Sequence, residues 1–149
     1  MSSNFDLIDW AKQLNIKLIV CSRDNIPRKL TKSYYIVNMS NEKDDGTHWV
    51  AFSFGYKSNF YFDSFGVLPP NEIISALKHN KNNLYHLSHN DIQNLSSDYC
   101  GHFCIIVCFM IDKMKMSFHE AIHEWNIKNT MINDKYVRLF FKKILNISV

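Results

Sequence analysis

The sequence changes abruptly from polar to apolar at Cys100, and this change constrains the fold more than any other feature of the chain. Residues 93–99, QNLSSDY, are polar and typical of a loop, whereas residues 100–111 are mostly apolar. The longest uninterrupted apolar run, residues 103–111, has nine residues, far fewer than the roughly 20 that a membrane-spanning helix needs. The pattern therefore predicts a helix over about residues 99–114 that is buried inside a globular protein.

Length and composition are those of one globular domain. The chain has 149 residues, of which 46% are hydrophobic, so residues 1–149 are expected to form a single domain. The net charge of +3 occurs without a block of like charges and is no argument for nucleic acid. No secretory signal or spanning segment is visible, and four cysteines without such a signal fit a reducing compartment. We therefore expect an intracellular protein that is not secreted and has no membrane partner.

Hydrophobic periodicity divides the chain into short elements. It predicts helices at residues 4–14, 70–79, 99–114, 117–125 and 133–146, and strands at 16–20, 34–38, 47–54, 60–65 and 84–88. The aromatic-rich segments 47–54 and 60–65 are joined by GYKSN, a hairpin signal, and DDG at 44–46 predicts a turn. Strands in the middle of the chain with helices on both sides indicate an α+β domain.

Cys100 lies where the apolar helix is predicted to begin, and this position favours a reactive thiol. Free N–H groups and the helix dipole favour negative charge at a helix N-terminus. That environment is expected to lower the pKa of the Cys100 thiol and to make it a nucleophile. Gly101, the next residue, would let a substrate backbone come close. Cys104 and Cys108 lie deeper in the apolar run and are predicted to be core residues.

His48 is a candidate base, with Asp63 in the next strand as its partner. Strands disfavour aspartate, so a carboxylate among the aromatic residues of FYFDSF (60–65) indicates a specific role. In a register that pairs positions 54 and 59, His48 lies opposite Phe65 and diagonal to Asp63 on the same face. Pairing of positions 54 and 57 puts His48 directly opposite Asp63, whereas a shift of one residue separates them onto opposite faces. A carboxylate beside the imidazole would fix its tautomer and stabilise imidazolium.

Four motifs follow one another in a fixed order: GTHWVAF at 46–52, FYFDSFG at 60–66, Gln93, and CGHFC at 100–104. Together they resemble the adenovirus-type (adenain-like) viral maturation proteases and their relatives in virophages, Polinton-like elements and large DNA viruses. The order His-Trp, acid, Gln, Cys-Gly is also similar to that of SUMO-specific proteases, and SRDNIP at 22–27 resembles an upstream loop of the viral enzymes. The resemblance implies a papain-like, adenain-like fold with a central, mostly antiparallel sheet flanked by helices.

The resemblance also implies roles for individual residues. Cys100 would be the nucleophile of a cysteine endopeptidase, at the N-terminus of a buried helix. His48 would be the general base and Asp63 the residue that orients it, at a position where the adenoviral enzyme has Glu. Gln93 would donate its side-chain amide, together with the Cys100 backbone N–H, to the developing oxyanion.

Substrates and partners follow from the same resemblance. The substrates would be capsid or virion precursor proteins, and the chain would act in the host cytoplasm, the viral factory or the virion. Trp49 would cap the site, and Trp49 and Gly101 are the candidate substrate-binding residues. A short peptide and DNA activate the adenoviral protease, but nothing in this sequence indicates either partner. No cofactor and no metal are expected.

Other interpretations of these motifs stay open. HEAIH at 119–123 matches the zinc-protease signature HExxH, although Ser117 and Glu120 fit a capping box, which would give Glu120 a structural role. A metal site built from His102 and the nearby cysteines lacks the paired, turn-based geometry of structural zinc sites. A SUMO or ubiquitin-like-protein isopeptidase of the same fold, or a non-catalytic module that holds a peptide in its groove, are the remaining alternatives.

Overall fold

Helices enclose a five-stranded sheet formed by the middle of the chain. The computed structural model describes residues 2–40, 48–81 and 85–149. Its helices are α1 (Asn4–Gln13), α2 (Asn71–His79), α3 (Cys100–Asp112), α4 (Phe118–His123) and α5 (Thr130–Phe140). Its strands are β1 (Leu18–Ser22), β2 (Ser33–Asn38), β3 (Trp49–Phe54), β4 (Phe60–Phe62) and β5 (His86–Leu87). A 3₁₀ turn at Arg23–Asn25 follows β1, and a π-helical turn at Phe141–Leu145 continues α5. The domain is α+β, as the sequence predicts.

The sheet is mixed, with the strand order β1-β2-β3-β4-β5. β3 is antiparallel to both β2 and β4, but β1 is parallel to β2 and β4 is parallel to β5. The expectation of a mostly antiparallel sheet is therefore wrong, because half of the pairings are parallel. Parallel neighbours need a connection that returns along the sheet. Residues 23–32 make this return between β1 and β2, and the segment containing α2 makes it between β4 and β5.

Alternate residues of β3 point into two cores on opposite faces of the sheet. Trp49 and Ala51 belong to a large core with α3, while Val50 and Phe52 belong to a smaller core with α2. α3 is buried from its first residue to Cys108 because it lies between the sheet and the helices α1, α4 and α5. The buried helix predicted from the apolar run is confirmed.

The β3–β4 hairpin has one of the two registers that bring His48 towards Asp63. Phe52 pairs with Tyr61, which corresponds to the pairing of positions 54 and 59. β4 has only three residues, so the predicted strand over residues 60–65 is too long. It ends early because Asp63 begins a turn, in which the backbone N–H of Gly66 donates to the Asp63 carbonyl at 2.8 Å.

Most helix and strand boundaries lie within a few residues of their predicted positions. α4 begins with a capping box between Ser117 and Glu120, which confirms the structural role predicted for Glu120. α5 begins three residues before the predicted position and ends six before it, and β5 is shorter than the predicted strand. The turn predicted at 44–46 lies outside the described residues.

Within the described ranges, no helix combines the length and the apolar character that crossing a bilayer requires.

Gly101 allows the first turn of α3 to lie against the N-terminal segment. A Cβ atom at this position would overlap the Ser2 hydroxyl, and it would lie 3.1 Å from Cδ1 of Trp49 and 3.2 Å from Cδ2 of Leu7. The indole N–H of Trp49 donates to the Ser2 carbonyl at 3.0 Å. The N-terminal segment, β3 and α3 therefore meet at a point where no side chain fits on α3.

Gly101→Ala should lower the free energy of unfolding by about 1–3 kcal/mol, because the added methyl group forces Ser2 and Trp49 to move. Urea denaturation followed by circular dichroism measures this change. Ser2→Gly removes the overlapping hydroxyl and should recover part of the loss in the Gly101→Ala background, with Ser2→Gly alone as the control. An unchanged denaturation midpoint in Gly101→Ala would contradict the close approach of these segments.

Candidate active site

The candidate site lies where β3 begins, beside the first turn of α3. The backbone N–H of Trp49 donates to Sγ of Cys100 at 3.4 Å, and the Cys104 thiol donates to the Trp49 carbonyl at 3.6 Å. These two contacts hold the first residue of β3 against α3. His48 immediately precedes β3 and Cys100 is the first residue of α3, so the same contacts bring the candidate base to the candidate nucleophile.

Asp63 holds the imidazole of His48. Nε2 of His48 lies 2.8 Å from Oδ1 of Asp63, so the nitrogen donates its hydrogen to the carboxylate. The same oxygen accepts the backbone N–H of Phe65 at 2.8 Å, and the Phe65 ring centroid lies 5.2 Å from that of the imidazole. Asp63 is only 3% exposed, and a hydrogen bond shielded from water in this way is strengthened.

The Cys100 side chain also acts on the His48 ring. Its interaction with the imidazole raises the pKa of His48, as does that of Asp63. Because Nε2 is occupied by Asp63, Nδ1 is the nitrogen that is available to the sulfur. The structure therefore brings together three of the residues that the sequence identifies, with His48 between Cys100 and Asp63.

Burial and hydrogen bonding act in opposite directions on the pKa of His48. Burial alone would lower it, but the hydrogen bonds with Asp63 and Cys100, and the negative charge of each, outweigh burial and raise the pKa from 6.5 to about 9. An imidazole with this pKa is protonated at neutral pH. The surroundings of His48 thus favour the imidazolium form, which a thiolate–imidazolium pair requires.

Gln93 is held by a hydrogen-bond network adjoining the triad. Its side-chain carbonyl accepts the Ser64 hydroxyl at 2.5 Å, and its amide nitrogen donates to the Ser97 carbonyl at 2.9 Å. The Ser64 carbonyl accepts the backbone N–H groups of Ile92 and Gln93 at 2.9 and 3.1 Å. Ser64 and Gln93 are both buried. These hydrogen bonds fix the Gln93 amide, although they run to Ser64 and Ser97 and not to Cys100.

Ser64 and Ser88 support the site but were not identified from the sequence. Ser64 orients Gln93, and the Ser88 hydroxyl accepts the Asp63 backbone N–H at 3.3 Å and donates to the Asp63 carbonyl at 3.4 Å. The only signal in the sequence is that Ser64 is a second polar residue in an aromatic segment. Nothing in the sequence indicates that residues 88–97 fold back against that segment.

Trp49 and Gly101 are buried beside the site. Trp49 is 5% exposed, and its indole is bonded to Ser2, which also covers Gly101. These contacts give both residues a packing role. Their predicted contact with substrate stays a prediction.

The other cysteines have different surroundings from Cys100. Cys104 and Cys108 are completely buried, as predicted for core residues, and burial raises the pKa of both thiols. Cys21 is partly exposed, but burial of its thiol raises the pKa to about 11. Cys100 is also buried, but its side chain interacts with the imidazole of His48.

The HEAIH motif lies on α4. The imidazole centroids of His119 and His123 are 4.1 Å apart, and Nδ1 of His123 is hydrogen-bonded to the His119 carbonyl at 2.8 Å. Glu120, the residue that would act as base in a zinc protease, is used in the capping box. Among the described residues, no three His, Cys, Asp or Glu side chains are grouped so that they could hold a metal ion.

The raised pKa of His48 predicts a pH dependence of stability. Because the folded chain binds this proton more tightly, the stabilisation is complete below pH 6.5 and is lost as the pH rises through about 9. The free energy of unfolding of the wild type should therefore fall by up to roughly 3 kcal/mol across this pH range, relative to that of His48→Gln. Urea denaturation at several pH values measures this change. The exposed His89 provides a matched control, and His89→Gln should keep the wild-type dependence. Parallel pH curves for the wild type and His48→Gln would contradict the assignment.

No protein-family model and no curated protein sequence matches the chain. The assignment of a function therefore depends on the geometry around His48 and on the resemblance of the motifs.

Proposed function

We propose that the chain is a cysteine endopeptidase in which Cys100, His48 and Asp63 form the catalytic triad. One observation carries the proposal: a single imidazole is hydrogen-bonded to a buried carboxylate at 2.8 Å, and a thiol at the start of a helix interacts with the same imidazole and raises its pKa. A nucleophile, a base and a group that orients the base are the parts that acyl transfer through a covalent intermediate needs.

Cys100 and His48 carry out the first half of the reaction. In the thiolate–imidazolium pair the proton of the Cys100 thiol lies on Nδ1 of His48, and the sulfur attacks the carbonyl carbon of the peptide bond, whose π electrons move to the oxygen. When the tetrahedral intermediate collapses, the C–N bond breaks and His48 gives the proton to the leaving amine. Asp63 keeps the Nε2 hydrogen on its side of the ring, so Nδ1 is the atom that exchanges the proton.

A water molecule completes the second half. Nδ1 of His48 takes a proton from the water as its oxygen attacks the thioester carbon. The C–S bond then breaks, the carboxylic acid leaves, and the thiolate of Cys100 and the imidazolium of His48 are restored. Both halves use the same nitrogen, which is why the orientation of the ring by Asp63 affects each step.

Two donors are available for the negative charge that develops on the carbonyl oxygen. Cys100 is the first residue of α3, where the backbone N–H groups have no acceptor within the helix. Gln93 has a second amide hydrogen besides the one donated to Ser97, and its side chain is fixed by Ser64. A donor of this kind typically contributes about 2.7–4 kcal/mol to transition-state stabilisation.

The substrate class is proposed from the resemblance to adenain-like proteases. The natural substrates would be capsid or virion precursor proteins, cleaved in the host cytoplasm, the viral factory or the virion. The mechanism above needs neither a cofactor nor an activating peptide or DNA. A SUMO or ubiquitin-like isopeptidase would use the same triad, so the two substrate classes are separated by experiment.

Cys100→Ala should abolish hydrolysis, with a loss of about 10⁴-fold or more, because the attacking atom is removed. The assay incubates each variant with a candidate capsid precursor and with SUMO-linked and ubiquitin-linked reporters. Cys21→Ser is the matched control and should retain activity, since Cys21 lies on β1. Hydrolysis by Cys100→Ala would contradict the proposal, and a wild type that binds these substrates without cleaving them would indicate a binding module.

Ser64→Ala should lower kcat by roughly tenfold with little change in KM, because Gln93 loses the hydroxyl that orients its amide. Gln93→Ala should lower kcat by about 10²–10³-fold, and the double variant should be no slower than Gln93→Ala alone. Steady-state kinetics on the cleaved reporter give these values, with Ser96→Ala, an exposed serine, as the control. Additive losses in the double variant would show that Ser64 does not act through Gln93.

A further inference from the structure

The outer face of α5 and of the turn that follows it combines exposed apolar and basic side chains, and we call it the α5 face. Its apolar members are between 41% and 62% exposed: Met131, Ile132, Tyr136 and Leu139. Its basic members are also exposed: Lys135, Arg138, Lys142 and Lys143. The opposite side of the helix is buried in the core through Val137 and Phe140.

The α5 face holds the net positive charge of the chain. It has four basic residues, whereas the remaining 13 basic and 14 acidic residues give the rest of the chain a net charge of −1. Two carboxylates lie near this face. Burial raises the pKa of Tyr136, and the negative charge of Glu124 raises it further, so Glu124 is close to Tyr136. The other carboxylate is that of Asp134, which is buried. Even with both counted, this face keeps a net charge of +2.

Three of the apolar residues form a stripe along the face. Ile132, Tyr136 and Leu139 are spaced four and three residues apart, so they lie on one side of the helix. Leu139 and Ile132 are each about half exposed, at 51% and 48%. The long side chains of Lys135 and Lys142 can extend beside this stripe and keep their charges at its border.

The combination of charge and apolar surface argues against two other occupants. A second copy of the chain, docked through the same face, would place two clusters of four basic residues against each other, which is unfavourable. Nucleic acid would pair with the basic residues through its phosphates, but its backbone offers no apolar surface for Ile132 and Leu139.

We propose that the α5 face docks on an anionic lipid bilayer. The apolar stripe enters the boundary of the acyl chains, and the basic residues of the same face contact anionic headgroups. Tyr136 lies at the level where aromatic residues concentrate in membrane interfaces. The expectation of no membrane partner rests on the length of the apolar run, which is too short to span a bilayer. Docking of a helix face needs no spanning segment, so that length is no argument against it. The proposal is independent of the proposed protease activity.

Co-sedimentation of the full chain with vesicles tests the proposal. The wild type should bind phosphatidylcholine vesicles that contain about 30% phosphatidylserine, and should bind pure phosphatidylcholine vesicles far more weakly. Replacing the four basic residues of the face by Gln should lower the partition coefficient at least about a hundredfold, at roughly fivefold per cation. Ile132→Gln with Leu139→Gln should lower it by roughly tenfold.

Two matched controls carry the same chemical changes at other exposed positions: Gln at Lys12, Lys29, Lys57 and Lys78, and Gln at Val67 and Leu68. Both should bind vesicles within about twofold of the wild type, and thermal denaturation should show that all variants fold. Three results would overturn the proposal: no vesicle binding by the wild type, an equal loss in the controls, or full binding by the Ile132 and Leu139 variant. Binding to DNA or to an acidic peptide, but not to vesicles, would assign the face to that partner instead.

Discussion

The burial of α3 against the sheet is the constraint on which the rest of the structure depends. α3 is apolar on all sides, so it must be covered by β3 on one side and by α1, α4 and α5 on the others. That cover brings the first turn of α3 to the beginning of β3, where Trp49 contacts both Cys100 and Cys104 through its backbone. Cys100 therefore lies beside His48 as a consequence of core packing, and Gly101 is the residue that makes the close approach sterically acceptable.

The turn after β4 connects two parts of the site. Asp63 orients the imidazole, and Ser64, the next residue, orients the Gln93 amide. Ser88 in turn holds the backbone of Asp63, so residues 88–97 fix Asp63 and the Gln93 amide together. Because the polar groups are buried and mutually hydrogen-bonded, each one loses little by leaving water. The same arrangement makes the orientations of the His48 ring and of the Gln93 amide interdependent.

Local patterns in the sequence predict the elements of this fold better than their pairing. The apolar run predicts α3, and the spacing of the hairpin predicts a register that brings His48 close to Asp63, although two other registers fit the same residues. The parallel pairings of β1 and β5 were missed because they depend on long connections, which leave no periodic signal. The hydrogen bond of Ser64 with Gln93 joins residues 29 positions apart, and local sequence patterns do not predict such a contact. The sequence likewise does not predict which apolar residues of α5 are exposed, because their exposure depends on which side of the helix is buried.

The interaction of His48 with Cys100 is tested most directly by the rate at which iodoacetamide alkylates each cysteine, followed by mass spectrometry at neutral pH. Burial raises the pKa of the thiols of Cys21, Cys104 and Cys108, so these residues should react slowly. Cys100 should react at least about tenfold faster than any of them, and His48→Ala should remove most of that difference. Equal rates for the four cysteines, or a Cys100 rate that is unchanged in His48→Ala, would contradict the account.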